Sequence, residues 1–232
     1  MKIFSFIFAR GGSKGVPGKN IKKLSGEPLI SYSIELAKNI NDVQKVFVST
    51  DDINISKISR GYGAEIIDRP IELALDTSSE WKAWKHAVEW VESNYGEFDV
   101  FLSLPTTAPL RNKSDIINCL SLLDGETDIV IGVTKASHSP WFNMVKKNKN
   151  NNLQLVLEGE NKLFNRQESP EVFSVTTVAY VTTPKFIKNS QGVFDGLVKG
   201  FEIPQERAID IDTPFDFEIA EYLMNRNKNK NA

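Results

Sequence analysis

Ile3 to Asn20 read IFSFIFARGGSKGVPGKN: an apolar, strand-like run as far as Ala9, then a loop rich in glycine and basic residues. Gly11, Gly12, Gly15 and Gly18 give the backbone freedom to aim several N–H groups at one anion, and Arg10, Lys14 and Lys19 add full positive charge. By composition this is a phosphate cradle, although the bare pattern also suits a flexible connection. It is neither of two familiar cradles. A Walker A loop needs a glycine where Ser13 stands and Ser or Thr where Asn20 stands, and the Gly-x-Gly-x-x-Gly spacing of dinucleotide binders does not occur.

Outward from this loop, strand-like runs at Lys45–Thr50, Ala64–Ile67, Val100–Leu104 and Ile129–Thr134 alternate with helix-length stretches at Leu29–Lys38, Ile53–Tyr62, Glu80–Ser93 and Ser114–Leu123. Trp81, Trp84, Val88 and Val91 fall on one helical face, which reads as core packing. The rhythm predicts an α/β fold, a mostly parallel sheet sandwiched by helices, with ligands at the carboxyl ends of the strands. After Thr134 it breaks. Trp141–Ser174 shows no helix period and leads into a β segment at Val175–Thr183, so residues 138–183 read as an inserted β-rich excursion: a dimerisation arm, a lid over the site or a plain surface meander. Strand character returns at Leu197–Ile203 and Ala208–Ile211. A last helix opens at Thr213 as cap, with Pro214 first and Asp216 reaching back, and Phe215, Ile219 and Leu223 are expected to dock it on the sheet.

The 232 residues suit one domain over 1–226, with 227–232 as a flexible tail and the basic run Lys146–Asn152 as a solvated loop. Lys plus Arg number 28 against 30 Asp plus Glu, so no excess of positive charge advertises a nucleic-acid or anionic-membrane partner. The N-terminal apolar run is too short for a span of about 20 residues, and the single cysteine, Cys119, excludes an intramolecular disulfide framework. A reducing cytoplasm fits.

Asp210 and Asp212 are two apart. On an extended strand they would point to one face roughly 6.5–7 Å apart and could converge on Mg²⁺, which takes one or two protein carboxylates and fills its other positions with phosphate oxygens and water. Alone, Asp-x-Asp-Thr before a helix also reads as a turn with a cap. Cys119, on the apolar side of a helix, and His86 and His138, without a partner pattern, offer no evident nucleophile, so direct displacement is preferred to a covalent intermediate.

Taken in order, the motifs resemble the acylneuraminate cytidylyltransferase family: ARGGSKGVPGKN at 9–20, Leu29-Ile30, Val48-Ser49-Thr50-Asp51, Arg69-Pro70, Glu72-Leu73-Ala74, Asp76-Thr77, Pro109-Leu110-Arg111, Arg166-Gln167 with Pro170, and Asp210-Ile211-Asp212-Thr213. The resemblance implies a Rossmann-like nucleotide-diphospho-sugar transferase fold and transfer of CMP from CTP to a 2-keto-3-deoxy sugar acid, with release of pyrophosphate. It places Arg10, Gly11, Gly12, Ser13, Lys14, Lys19, Asn20, Arg69, Ser78 and Ser79 on the nucleotide, and Thr106, Arg111, Arg166, Gln167 and Tyr180 on the acceptor. Asp210 and Asp212 fall on its Mg²⁺ pair, and Arg10, Lys19 and Asp212 are the expected catalytic groups. The general base is Asp212 or a metal-bound hydroxyl. Family members are commonly dimers, so the excursion is expected to be a homodimerisation arm.

Two departures sit on the acceptor side. Pro105 stands where sialic acid enzymes carry a glutamine, and Thr176-Thr177 replace an Asn-Gly. They imply a changed sugar, such as legionaminic, pseudaminic or another bacterial nonulosonic acid. The rival readings are an octulosonate or sugar 1-phosphate acceptor, and a nucleotide-binding module that does not catalyse. The octulosonate branch carries a different first loop and a Gly-Asp-Glu-Pro segment absent here.

Overall fold

Strand β1 (Ile3–Phe8) sends Ile3 and Ile7 into one apolar layer and Phe4 and Phe6 into another, and this alternation organises the molecule. The computed structural model describes residues 1–157 and 170–230. In it β1 lies inside a seven-stranded sheet. The other small strands before the first helix form a hairpin, β2 (Lys23–Leu24) with β3 (Glu27–Pro28). The large sheet adds β4 (Val43–Thr50), β5 (Glu65–Asp68), β6 (Val100–Ser103), β7 (Ile129–Lys135), β10 (Phe173–Thr182) and β11 (Val198–Glu202), in the order β11-β7-β10-β6-β1-β4-β5. All pairings are parallel except those of β10, which runs antiparallel to both neighbours.

Helices α1 (Leu29–Lys38), α2 (Ile53–Gly61) and α4 (Lys113–Ser121) cover the aliphatic face, through Ile30, Ile34, Ile55 and Ile116. Helices α3 (Glu80–Tyr95) and α5 (Pro184–Asn189) cover the aromatic face, where Trp81, Trp84, Val88 and Val91 form the expected stripe. Phe6 and Phe101 stack there at 4.3 Å. Cys119 is core, buried in the aliphatic layer. Helix α2 starts on Asp52, whose Oδ1 accepts from Asn54 N at 2.7 Å and Ile55 N at 2.9 Å. Asp52→Ala is expected to cost about 1 kcal/mol in a denaturant melt.

From β1 the chain steps to β4 and β5 on one side, then returns to β6 on the other. Such a switch point opens a crevice at the carboxyl ends of β1 and β6, between two loops that diverge.

Several expectations need correction. Ala208–Ile211 forms no ladder. The run crosses the carboxyl end of the sheet, held by Ile211 N donating to Thr107 O at 2.9 Å and by Arg207, which grips the buried Asp115 of α4 at 2.8 and 2.9 Å. The last helix, α6 (Pro214–Lys230), has the expected cap, with Asp216 Oδ2 accepting from Thr213 N at 2.7 Å and Thr213 Oγ1 accepting from Asp216 N at 3.2 Å. Its buried face is Phe217, Ala220 and Met224, packed with Val16 and Leu24, whereas Phe215 is 68% exposed. The helix therefore docks on the cradle loop and the β2–β3 hairpin instead of the sheet. It extends to Lys230, into the stretch expected to be a tail. Lys146 and Lys147 lie in β8 (Val145–Lys147), paired with β9 (Leu153–Leu155), and the connecting turn is closed by Asn148 Oδ1 accepting from Asn150 N and Asn152 N, each at 3.0 Å.

Candidate active site

The glycine-rich loop leaves β1 and is closed at its base by Asn20. The Asn20 amide donates to Arg10 O at 3.0 Å, and its Oδ1 accepts from Thr106 Oγ1 at 2.7 Å, beyond the end of β6. Both residues are buried, so Asn20 and Thr106, expected on the nucleotide and the acceptor, hold the loop to the sheet. Gly11 N is taken by Asp51 Oδ1 at 3.1 Å, and a Cβ there would come within 2.8 Å of Asp52 Oδ2. The amides of Gly12, Lys14 and Gly15 donate to nothing among the described residues. That is the donor set an anion requires.

The acid pair meets this loop directly. A Cβ on Gly15 would lie 2.0 Å from the Asp212 carbonyl oxygen, so only glycine permits the approach. Val16 and Ile211 are buried in one cluster beneath it. Lys19 Nζ donates to Ile211 O at 2.6 Å and lies 3.4 Å from Asp212 Oδ1. The Asp212 side chain is 73% exposed. Asp210 is half-buried, and its Oδ1 is buried without a hydrogen-bond partner. Burial pushes its carboxyl above the usual range and Asp212 adds to this, while Thr107, Thr177 and Lys19 oppose. A buried, unpartnered carboxylate oxygen beside a second carboxylate is a donor set that a hard cation fits. No cluster of three or more His, Cys, Asp or Glu suited to a metal occurs among the described residues.

A cleft of about 310 Å³ is bounded by Arg10 of the glycine-rich loop and by Thr107 and Thr177, which neighbour Asp210. Its walls are Phe8 and Arg10 from the β1 end, Arg69, Leu73, Leu75, Asp76 and Ser78 from the loop after β5, Pro105–Thr107 after β6, and Thr177 and Tyr180 of β10. Arg69 is buried: Nη2 donates to Ser49 O at 2.7 Å and Nε to Ser49 Oγ at 3.1 Å, and the guanidinium lies over the Phe8 ring. Burial pulls its pKa down to about 10, so it stays charged at neutral pH. Ser78 Oγ is buried and unpartnered in the wall, whereas Ser79 caps α3 by accepting from Trp81 N. The Tyr180 phenol is pushed up to about 12, first by burial and then by Glu80 and Asp210, so it is a neutral donor.

Arg111 does not enter the cleft. It is buried, with Nη1 donating to Val178 O and Thr177 O and Nη2 to Ser33 Oγ and Pro105 O. Here its guanidinium ties β10, α1 and the loop after β6 together. Arg166 and Gln167 lie outside the described residues. The pairing of Thr107 with Thr177, and the contact of Asp76 with Arg10 and Lys14, were not assigned from sequence. The motif Asp76-Thr77 and the departure at Thr176-Thr177 are the sequence signals that fall on these residues.

A family model described as Cytidylyltransferase matches residues 5–225. The chain belongs to this family. As a cytidylyltransferase it is a nucleotidyltransferase, and the cradle with its facing acids lies inside the matched span. Among similar proteins, the post-translational flagellin modification protein B of Campylobacter coli is 31% identical over 234 residues, covering 100% of this chain and 98% of that one. The CMP-N,N'-diacetyllegionaminic acid synthase of Campylobacter jejuni is 30% identical over 226 residues, covering 96% and 95%. The solved structure of CMP:2-keto-3-deoxy-manno-octonic acid synthetase complexed with CTP superposes with a TM-score of 0.71 over 98% of this cytidylyltransferase and 100% of that chain, at 19% identity, and shares its fold.

Proposed function

We propose that this cytidylyltransferase transfers CMP from CTP to the anomeric hydroxyl of a nonulosonic, sialic-acid-like sugar acid and releases pyrophosphate. The observation that carries the reading is the approach of Gly15 to the Asp212 carbonyl, which sets the unpartnered loop amides and Lys19 against the Asp210–Asp212 pair. In this reading Arg10, Lys14 and Lys19 take the triphosphate charge, with the amides of Gly12, Lys14 and Gly15 on its oxygens. Ser13 lies in the same loop. Arg69 and Ser78 line the part of the cleft given to the nucleoside. Asp210 and Asp212 would hold Mg²⁺, which supplies charge neutralisation and phosphoryl polarisation when bound.

The anomeric oxygen bonds to the α-phosphorus as the bond to pyrophosphate breaks, and Asp212, the exposed carboxylate, receives the proton. A thiol intermediate is disfavoured because burial pushes Cys119 up to about 12. Tyr180, Thr107 and Thr177 stand toward the acceptor, next to Pro105. Pro105 offers no side-chain hydrogen bond where sialic acid enzymes carry a glutamine, and this supports an acceptor of the legionaminic or pseudaminic class over N-acetylneuraminate. The excursion exposes Phe142, Met144, Val145, Leu153 and Leu157, a surface suited to a second copy in a homodimer. A cytoplasmic location fits a CTP-using enzyme in which no helix among the described residues is long and apolar enough to cross a membrane.

The test is pyrophosphate release from CTP and Mg²⁺ with a panel of keto-acid sugars. Turnover is expected with a legionaminic or pseudaminic type acceptor. N-acetylneuraminate outperforming every other sugar would overturn the choice of acceptor, and no release with any sugar would overturn the transfer itself.

A further inference from the structure

Two of the cradle's cations already hold an anion. Asp76 Oδ1 lies 2.7 Å from Arg10 Nη1, its Oδ2 pairs with the Lys14 ammonium, and the Ala74 carbonyl accepts a further bond from Arg10 Nη1 at 3.2 Å. The Lys14 pairing, with help from Arg10, holds the Asp76 carboxyl below the usual range, so it is an anion at neutral pH.

The segment that carries Asp76 is lightly held. Its backbone hydrogen bonds, donated by Leu73, Ala74 and Ser78, all run to carbonyls between Pro70 and Leu75. Ile71 and Leu75 are 68% and 53% exposed, so lifting the segment uncovers little apolar surface that was not already wet. Leu73, Leu75 and Ser78 wall the cleft as well, so the same displacement widens it.

We infer that Asp76 is a specificity-determining residue, an internal carboxylate that occupies Arg10 and Lys14 until a polyphosphate displaces it, and so sets the preference for triphosphate over monophosphate. This rests on the reading of the loop as a triphosphate cradle. A triphosphate or a pyrophosphate brings several charges to two cations and displaces one carboxylate with a net electrostatic gain. The single charge of a CMP-sugar phosphodiester brings no such gain. Return of Asp76 to Arg10 and Lys14 after transfer then opposes retention of pyrophosphate.

The experiment is calorimetric titration of the full chain in Mg²⁺ buffer with CTP, inorganic pyrophosphate and CMP, comparing wild type, Asp76→Asn, Asp76→Ala and Asp76→Glu. In the Asn and Ala variants Kd for CTP and pyrophosphate is expected to fall about three- to tenfold, the scale of two exposed ion pairs removed, while Kd for CMP moves by less than about twofold. Asp76→Glu keeps the charge and is expected to bind like wild type. Adding Lys14→Met to Asp76→Asn should shrink the gain, because one of the two cations is gone. Weaker or unchanged binding of CTP and pyrophosphate in the Asn and Ala variants overturns the inference, since Asp76 would then merely order the cradle or decorate it. Equal tightening of CMP overturns it also. A wild-type chain that binds none of the three overturns the proposed function with it, whereas binding with an unaltered ratio across the variants overturns the role of Asp76 alone.

Discussion

Asp212→Ala is expected to lower kcat for pyrophosphate release by roughly 10³-fold, the scale seen when a group that stabilises transition-state charge is removed. The melting temperature should stay within about 2 °C, because a largely exposed side chain contributes within about 0.5 kcal/mol of stability. The separation of the two effects follows from geometry. Lys19 Nζ keeps its 2.6 Å bond to Ile211 O without the Asp212 carboxylate, and the Thr213–Asp216 cap holds the start of α6 through different atoms. CTP affinity measured in EDTA should therefore change only a few-fold, since Arg10, Lys14, Lys19 and the free loop amides remain. Steady-state kinetics beside a thermal melt decide it. Retained turnover in Mg²⁺ would refute the role of this carboxylate, and a collapsed melting curve would show that it holds the fold.

The sheet was legible because its strands and helices each bury a face with one clear period. Leu29–Lys38 has the bounds read from sequence, and the tryptophan stripe of α3 lies where its spacing placed it. What period could not settle was partner choice. Helix α6 carries two apolar stripes, Phe215, Ile219, Leu223 and Phe217, Ala220, Met224, and which one is buried depends on Val16 and Leu24, more than 190 residues earlier in the chain. Ala208–Ile211 has strand composition but joins no ladder, and long-range bonds from Ile211 to Thr107 and from the adjacent Arg207 to Asp115 fix it instead. At the site, the glycines and charges of the first loop were legible as composition, and the structure shows loop amides of Gly12, Lys14 and Gly15 without a partner among the described residues. For Arg111 and Asn20 the sequence could not reveal the structural bonds that both make. A polar side chain that satisfies buried backbone carbonyls has the same composition as one that binds a ligand, and only the three-dimensional placement of Pro105, Thr177 and Arg10 separates the two.

Arg111→Met is expected to destabilise the fold by about 3–5 kcal/mol, more than any acceptor-binding role would predict. Arg111 is 6% exposed, and its guanidinium joins three pieces of the architecture: Nη1 donates to Val178 O at 2.7 Å and Thr177 O at 3.2 Å on β10, and Nη2 donates to Ser33 Oγ on α1 and to Pro105 O after β6. Burial pulls its pKa down to about 9, opposed by Asp210 and Asp115, so the charge persists at neutral pH and each bond is charge-assisted. Removing it leaves several buried acceptors unsatisfied, at about 1–3 kcal/mol each before relaxation. For a chain of this length that corresponds to a fall in melting temperature of roughly 10 °C. Lysine should recover less than half of the loss, because one ammonium cannot span carbonyls that the planar fork reaches from two nitrogens. Denaturant and thermal melts separate this account from its rival. Were Arg111 a ligand for the sugar carboxylate, the methionine variant would melt like the parent and raise only the acceptor KM. If it instead fixes Pro105 and Thr177 in the cleft wall, stability and the kinetics of both substrates must fall together.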